Sequence, residues 1–494
     1  MADNYPNSSP SSGSTDLLLI GNVKKPSNDE ERPMSGTLIF DANFESGNLG
    51  RVDALGPNEY DLFIRPDTCN PKHRVWFYFA VYNAKANQRV VFNVVNFSKM
   101  RTLFDSGSAA PVYKTDTETE WNRVPAKHIY YYKSQPHGDR FILSFVHIFQ
   151  SRNERCEFSY CIPYTYSHLQ SFLGELEAKD MPHFKRETLT LSVQKRRVDL
   201  LTIASPELMS AAKTKIIFIM GRVHPGETPS SIVLQGFIQF LASDNAQAQQ
   251  LRSLYIFRII PMLNPDGVYL GNYRCSLMGF DLNRQWQNPS VWAHPSIAAA
   301  KNLLLQYHSN PKTELYLCID VHAHSQQTNS FLYGNLPHTL PKLLERQLYI
   351  PHLLAQSTED YSLQYTQFNT DVEKAGTNRR AMGEILDNNC LCYTLEVSFF
   401  SYRPKDDPDA KSTPYLEDTY KLLGENLAIA ILGYHQILTS HRTIEIKRPF
   451  ETFLSRRCIK TFKQMEARPN RSLSHMARGS SRNCSRNSTP VPLL

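Results

Sequence analysis

Continuous apolar runs alternate with amphipathic segments over residues 163–440. The apolar runs are rich in β-branched residues and lie at 215–220, 253–264, 314–324 and 391–400. Such runs are typical of strands that are buried on both faces. Helical spacing of apolar residues occurs at 168–179, 230–244, 297–308, 340–361 and 418–438. Strands that alternate with helices predict an α/β fold, in which helices cover both faces of the sheet.

The preceding region has a different pattern. Short β-rich runs occur at 37–44, 60–65, 74–83, 89–97, 127–133 and 141–149, with turn sequences between them. Several short strands separated by turns predict an antiparallel sandwich-like module. We therefore divide the chain into a disordered N-terminus, a β-sandwich-like domain, an α/β domain and a basic disordered tail. The predicted boundaries are 1–35, 36–162, 163–440 and 441–494.

Charge and cysteine content narrow the possible functions. The net charge of +7 belongs to the tail, since residues 441–494 carry twelve Lys or Arg and three Glu, and residues 1–440 sum to −2. A nucleic-acid partner is therefore not expected for the body of the protein. No apolar run is long enough for a membrane span. An odd count of nine cysteines, without an export signal, predicts reduced thiols in a cytosolic protein.

Polar side chains follow each predicted strand of the α/β region. The first strand is followed by His224 and Glu227, and the second by Arg274, Asn283 and Arg284. In open α/β sheets, ligands bind at the carboxyl ends of the strands. Imidazole nitrogen and carboxylate oxygen are ordinary zinc ligands. A His and Glu pair three residues apart is a weak motif by itself, and the alternative is a surface loop.

The third and fourth predicted strands add further polar residues of the same kind. The third strand carries Asp320, His322 and His324, and the fourth carries Glu396. The segments HPGE, NPDG, DLNRQW, DVHAHS and LEVSF occur in this order. Together they resemble the zinc carboxypeptidases of the carboxypeptidase A type. The fuller segment GNYRCSLMGFDLNRQW, with FESGNL and PYTYSHLQSFL upstream, is similar to the cytosolic carboxypeptidase branch over about residues 36–440.

The resemblance implies a role for each metal-site residue. His224, Glu227 and His322 match the three ligands of one catalytic zinc per chain, which leaves a coordination position open for water. Spacing alone also allows His324 to be the third ligand in place of His322, because residues two apart on a strand share a face. Glu396 matches the family's general base. The alternative for Glu396 is a buried strand carboxylate paired with a cation.

The resemblance also implies how a substrate is held. Arg274 matches the residue that stabilises the oxyanion. Asn283 and Arg284 match the pair that binds the terminal carboxylate, and a guanidinium suits this task because it can form two parallel bonds. The basic segment with Lys374, Arg379 and Arg380 lies where the family builds the pocket for the last side chain. Arg379 aligns best with the residue that recognises an acidic side chain, whereas a solvated basic loop is the alternative.

One family feature has no match, since no counterpart of the mobile tyrosine occurs between Asp371 and Leu391. The resemblance otherwise implies a monomeric cytoplasmic zinc metallocarboxypeptidase that removes C-terminal glutamates. Its expected partners are glutamate-ended or polyglutamylated proteins such as tubulin, with possible association with microtubules, centrioles or cilia. Two alternatives stay open at this stage. They are a zinc amidohydrolase of small N-acyl amino acids and a tubulin-binding protein without catalytic activity.

Overall fold

The computed structural model describes residues 21–26, 34–99, 103–104, 106–336, 341–386, 390–407 and 409–440. The tail at 441–494 and most of the segment predicted as disordered, 1–35, lie outside these residues. Within that segment, Asn22 and Val23 form hydrogen bonds to Leu49. In the described part, the seven cysteines are free, and no helix there combines the length and apolar character that crossing a bilayer requires.

The N-terminal part consists of two five-stranded sheets. One has the order β1-β4-β10-β6-β7 and the other β2-β3-β5-β9-β8. The strands are β1 Ile39–Asp41, β2 Arg51–Gly56, β3 Glu59–Phe63, β4 Tyr78–Tyr82, β5 Arg89–Val94, β6 Val112–Thr115, β7 Asn122–Arg123, β8 Ile129–Ser134, β9 Arg140–Ile148 and β10 Cys156–Ser159. All pairs are antiparallel except β3 with β5. Aromatic rings fill the space between the sheets, where Phe92 packs against Phe79 and Phe158.

An eight-stranded mixed sheet forms the centre of the second part. Its order is β11-β12-β14-β13-β15-β18-β16-β17. The strands are β11 Phe184–Leu191, β12 Arg197–Ile203, β13 Thr214–Gly221, β14 Ile256–Ile260, β15 Thr313–His324, β16 Ser330–Asn335, β17 Gln367–Asn369 and β18 Leu391–Ser398, with a short separate pair at β19 Ser401–Tyr402 and β20 Thr413–Pro414. The predicted strands are β14, β13, β15 and β18, which are parallel neighbours at the centre. Their continuous apolar runs are buried, as expected for the middle of a covered sheet.

Helices cover this sheet. They are α1 Tyr166–Glu177, α2 Pro206–Met209, α3 Thr228–Ala242, α4 Ala246–Leu254, α5 Pro265–Leu270, α6 Pro295–Ser309, α7 Pro341–Ser357, α8 Asn378–Ile385 and α9 Glu417–Ser440. The helices α3 and α9 cross closely at Gly236 and Gly424. A Cβ at Gly236 would lie 2.1 Å from the carbonyl oxygen of Lys421, and one at Gly424 would lie 2.0 Å from that of Val233. The predicted fold class, a helix-covered mixed α/β sheet preceded by a β-sandwich-like module, is confirmed.

The register of the central strands places the chemistry at one edge. Strand β15 pairs with β18 so that His322 lies beside Glu396. Strand β13 lies on the other side of β15 and ends at Gly221, three residues before His224. Because these three strands are parallel, their carboxyl ends meet at the same edge of the sheet.

Candidate active site

Three buried side chains converge at this edge. The Nδ1 atom of His224 lies 2.7 Å from one carboxylate oxygen of Glu227, and the Nδ1 atom of His322 lies 3.0 Å from the other. Potential ligand atoms of these three residues lie within 4.8 Å of one another. Glu227 occupies the N-cap position of α3, where strand β13 leads into the helix, and its carboxylate accepts the backbone N–H of Ala323 at 3.0 Å. Two imidazoles and one carboxylate are a donor set that suits a catalytic zinc ion.

The outer nitrogens of both histidines are held by carboxylates. The Nε2 atom of His224 lies 3.1 Å from Asp281, and the Nε2 atom of His322 lies 2.8 Å from Asp320. A carboxylate on the far nitrogen fixes the ring orientation and makes the near nitrogen a better metal ligand. Burial would raise the pKa of Glu227, but the two imidazoles hold that pKa well below its usual range. The three residues therefore fit a divalent cation in geometry, orientation and charge.

His324 is outside this cluster. Its Nε2 donates to the carbonyl oxygen of Asn329 at 3.3 Å, and its ring packs against Phe331. Burial lowers the pKa of His324 to about 4, so the ring is neutral at pH 7. Its Nδ1 atom is buried and has no hydrogen-bond partner among the described residues. The geometry therefore assembles His322, and not His324, with His224 and Glu227.

Glu396 is a separate carboxylate on the wall of the same cavity. Within the described part of the chain, it forms no hydrogen bond and no ion pair. Enclosure raises the pKa of Glu396 to about 7, with His322 opposing the rise and Glu227 adding to it. A carboxyl group with a pKa near neutrality and a free oxygen can accept and return a proton at pH 7.

Two arginines and an amide also line the cavity. Arg274 forms two bonds to one oxygen of Asp281, at 2.8 and 2.7 Å. The Nη1 atom of Arg284 donates to the backbone oxygen of Asn283 at 2.9 Å and lies 4.0 Å from Asp281. The Oδ1 atom of Asn283 accepts from the backbone N–H of Asn378. Arg284 is the freer of the two guanidinium groups, and about a third of its side chain is exposed.

The predicted basic segment divides at helix α8. Lys374 and Arg379 line the cavity, whereas Arg380 does not. Arg380 forms an ion pair with Glu384 at 3.0 Å instead. Arg379 is buried, and burial together with Arg380 lowers its pKa to about 10, so it is still charged at pH 7. The geometry thus brings two of the three predicted pocket cations to the site.

Arg379 is surrounded by neutral oxygens. Its Nη1 donates to the backbone oxygen of Gly334 at 2.6 Å and to Oδ1 of Asn335 at 2.7 Å, and its Nη2 donates to Oδ1 of Asn369 at 2.8 Å. No carboxylate forms an ion pair with it among the described residues. A buried cation without a charged partner is costly. The guanidinium of Arg379 is thus held on the cavity wall by neutral oxygens and keeps its positive charge.

The N-terminal module holds one loop of the site. The buried carboxylate of Asp67 accepts the backbone N–H groups of Tyr273, Arg274 and Cys275 at 2.6, 2.7 and 2.7 Å. Burial raises the pKa of Asp67 to about 6, against the three N–H groups that lower it. Three consecutive amides aimed at one carboxylate fix the backbone on which Arg274 stands.

Sequence reasoning missed Asp67, Lys99 and Asp281, and it named Asp320 without assigning it a role. Asp320 had a usable signal, since it lies two residues before His322 on the same strand face. Asp281 could also have been found from the sequence, because it belongs to the same motif as Asn283. Nothing local in the sequence marks Asp67, which lies in a loop of the β-rich module.

The cavity has a volume of about 470 Å³ and a positive balance of charge. Its cationic and anionic lining residues are Lys99, Arg274, Arg284, Lys374 and Arg379 against Glu227, Asp371 and Glu396. A cleft of this kind attracts anionic ligands. The tyrosines that line it are Tyr273 and Tyr333, and both lie outside the segment between Asp371 and Leu391.

Comparisons with known proteins cover most of the chain. Residues 169–419 match the family model described as zinc carboxypeptidase, and residues 40–160 match the cytosolic carboxypeptidase N-terminal domain. Cytosolic carboxypeptidase 6 of Caenorhabditis elegans is 56% identical over 451 residues, which is 90% of this chain and 97% of that protein. Cytosolic carboxypeptidase 6 of Homo sapiens is 49% identical over 439 residues, which is 88% of this chain and 86% of that protein.

Solved structures show the same fold at low sequence identity. A metallo-carboxypeptidase from Burkholderia cenocepacia has a TM-score of 0.69 at 22% identity, covering 81% of this chain and all of that chain. A metallo-carboxypeptidase from Pseudomonas aeruginosa, in complex with (2-guanidinoethylmercapto)succinic acid, has a TM-score of 0.67 at 22% identity. That match covers 82% of this chain and all of the other.

Proposed function

Because this chain is a zinc metallocarboxypeptidase that belongs to the cytosolic carboxypeptidase family, we propose that it removes C-terminal glutamates from proteins, including polyglutamate side chains. The observation that carries the glutamate preference is Arg379, a buried cavity cation without a carboxylate partner among the described residues. A glutamate side chain would supply the missing counter-charge. An apolar side chain would leave that cation uncompensated, and the penalty gives selectivity.

His224, Glu227 and His322 would hold the zinc ion. A zinc ion bound there acts as a Lewis acid, which polarises the scissile carbonyl and makes a bound water more acidic. Glu396 accepts the proton from the attacking water and returns it to the leaving amine. Its raised pKa and its lack of a bonded partner in the described structure support this role.

The remaining cations orient the substrate. Arg284 and Asn283 bind the terminal carboxylate, which restricts cleavage to the last residue because an internal peptide bond has no charge at that place. Arg274 donates to the carbonyl oxygen as negative charge develops on it. Arg379 and Lys374 receive the side-chain carboxylate of the last glutamate.

The test uses purified protein with and without a zinc chelator. We expect stepwise release of glutamate from peptides that end in one or several glutamates. Matched peptides that end in leucine should react much more slowly, and the chelator should stop both reactions. Faster hydrolysis of small N-acyl amino acids than of peptides would instead identify an amidohydrolase.

Polyglutamylated tubulin is the proposed protein substrate, and the cytoplasm the proposed location. The positive cavity supports an acidic chain as substrate. Incubation with glutamylated tubulin, followed by mass measurement of its tails, tests this assignment. If the mass of the tubulin tails does not change while glutamate-ended peptides are cleaved, the peptidase activity stands and tubulin is excluded as a substrate.

Replacement of Arg379 by alanine is expected to lower kcat/KM for glutamate-ended peptides by roughly 10- to 100-fold, the value of a hydrogen-bonded charge. Leucine-ended peptides should lose much less. Arg380→Ala is the matched comparison, because it is the neighbouring arginine on the same helix and is paired with Glu384. Melting temperatures of both variants control for folding. Selectivity retained in Arg379→Ala would move the role to Lys374, the other predicted cation that lines the cavity.

Replacement of Asp67 by asparagine is expected to lower kcat by roughly 10- to 100-fold, because small displacements of a catalytic group have effects of this size. The amide retains the shape of the side chain but can accept through one oxygen instead of two. In an Arg274→Ala background, the same change should have little further effect on kcat. An equal fold-loss in both backgrounds would mean that Asp67 acts on general stability and not through Arg274.

A further inference from the structure

Lys99 is a cavity residue that comes from the N-terminal module. It lies five residues after strand β5, and its side chain is half-buried. Its Nζ donates to the hydroxyl of Tyr273 at 2.6 Å and to the hydroxyl of Ser325. The ammonium also lies 4.8 Å from the centre of the Tyr273 ring. The hydroxyl of Tyr131, on strand β8, donates to the backbone oxygen of Lys99 and anchors the residue from its own module.

The partners of Lys99 are neutral. Among the described residues, no carboxylate forms an ion pair with it, and its two hydroxyl partners carry no charge. Tyr273 directly precedes Arg274, and Ser325 follows the ligand His322 by three residues. The ammonium is therefore held by two hydroxyls on the wall of the cavity that also contains the three candidate metal ligands, and no carboxylate pairs with it among the described residues.

This cation is separate from those that receive the terminal residue. Arg379 is bonded to Gly334, Asn335 and Asn369, whereas the side chain of Lys99 is bonded to Tyr273 and Ser325. A terminal glutamate has two carboxylates, which the proposed function assigns to Arg284 with Asn283 and to Arg379 with Lys374. Lys99 then has no partner within the terminal residue. The next carboxylate along a polyglutamate chain belongs to the penultimate residue, on the other side of the scissile bond.

We propose that Lys99, held by Tyr273 and Ser325, forms a subsite for the carboxylate of the penultimate acidic residue of the substrate. This inference rests on the proposed function and adds a second recognised position to it. A chain of consecutive glutamates would occupy both subsites, whereas a protein that ends in a single glutamate would occupy only one. The N-terminal module would then select for glutamate chains directly.

Two blocked peptides that differ at one position provide the test: N-acetyl-Ala-Ala-Glu-Glu and N-acetyl-Ala-Ala-Ala-Glu. We expect kcat/KM of the zinc-loaded protein to favour the first by about tenfold, the value of one charge-assisted contact. In Lys99→Met the ratio should fall to about one, and Lys99→Arg should restore most of it. Lys312→Met removes an exposed lysine elsewhere and should keep the wild-type ratio.

Calorimetric binding of the two peptides to the zinc-loaded Glu396→Gln protein gives a readout that does not depend on turnover. The ratio of the two Kd values should again be about ten, and Lys99→Met should abolish it. If the wild-type protein cleaves neither peptide but the Kd ratio is about ten, the proposed function is rejected and the subsite is retained. Cleavage of both peptides with no preference, or a preference that survives in Lys99→Met, would overturn the subsite and leave the proposed function in place.

Discussion

Replacement of Glu396 by glutamine is expected to lower kcat by about 10³- to 10⁴-fold while the zinc content stays unchanged. General-base catalysis contributes up to about 10⁴-fold, and an amide cannot accept a proton from water at neutral pH. Glutamine has nearly the same volume, and Glu396 forms no hydrogen bond or ion pair within the described residues, so folding should not change. Single-turnover kinetics and metal analysis of the same preparation measure the two quantities.

The pH dependence of the wild-type protein gives an independent check on the same residue. Glu396 must be ionised to act as a base, so kcat/KM should fall as the pH decreases through the pKa of this carboxyl group. Enclosure raises that pKa to about 7, and the positive charge of a bound metal lowers it. The acidic limb should therefore lie at or below about pH 7. Full activity in Glu396→Gln, or the same limb in its residual activity, would exclude Glu396 as the base.

Replacement of His322 by alanine is expected to reduce the zinc content from about one per chain to near zero, and activity should be lost with the metal. His322 contributes one of the three converging ligand atoms. The same replacement at His324 should leave the zinc content unchanged, because that ring is bonded to the backbone of Asn329. The two histidines share one strand face, so the pair is a matched comparison.

The zinc contents are measured after dialysis against a weak chelator. Replacement of Asp320 should give an intermediate result, since loss of an orienting carboxylate typically weakens metal affinity by 10- to 100-fold. Zinc that is lost from His324→Ala and kept by His322→Ala would reverse the assignment of the third ligand.

The central strands and the polar side chains at their ends could be predicted because that information is local. A buried parallel strand is a continuous apolar run, and the polar residues directly after it lie at one edge of the sheet. His224 and Glu227 follow strand β13, whereas His322 and Glu396 lie near the carboxyl ends of β15 and β18, and the structure brings all four to one cavity. The boundary between residues 162 and 163 is not tested by these observations and stays a prediction.

The outer strands and the links between modules could not be predicted for physical reasons. Strand β11 has mixed burial along its length, so it lacks a clear period of two. Strand β17 is only three residues long. Asp67 and Lys99 act across about 200 residues of sequence, and a single carboxylate or ammonium in a loop carries no local mark of its partner.

The carboxylate of Asp67 also limits how the protein can be divided. Nearby, Arg65 donates to the carbonyl oxygen of Leu270, and Thr68 donates to Asn272, so several polar groups of the two modules form hydrogen bonds across their junction. A fragment that begins near residue 163 would expose three amides beside Arg274. Transfer of the α/β part to another protein would therefore require transfer of the two N-terminal sheets with it. We therefore expect the two modules to evolve together, with compensating substitutions on both sides of their junction.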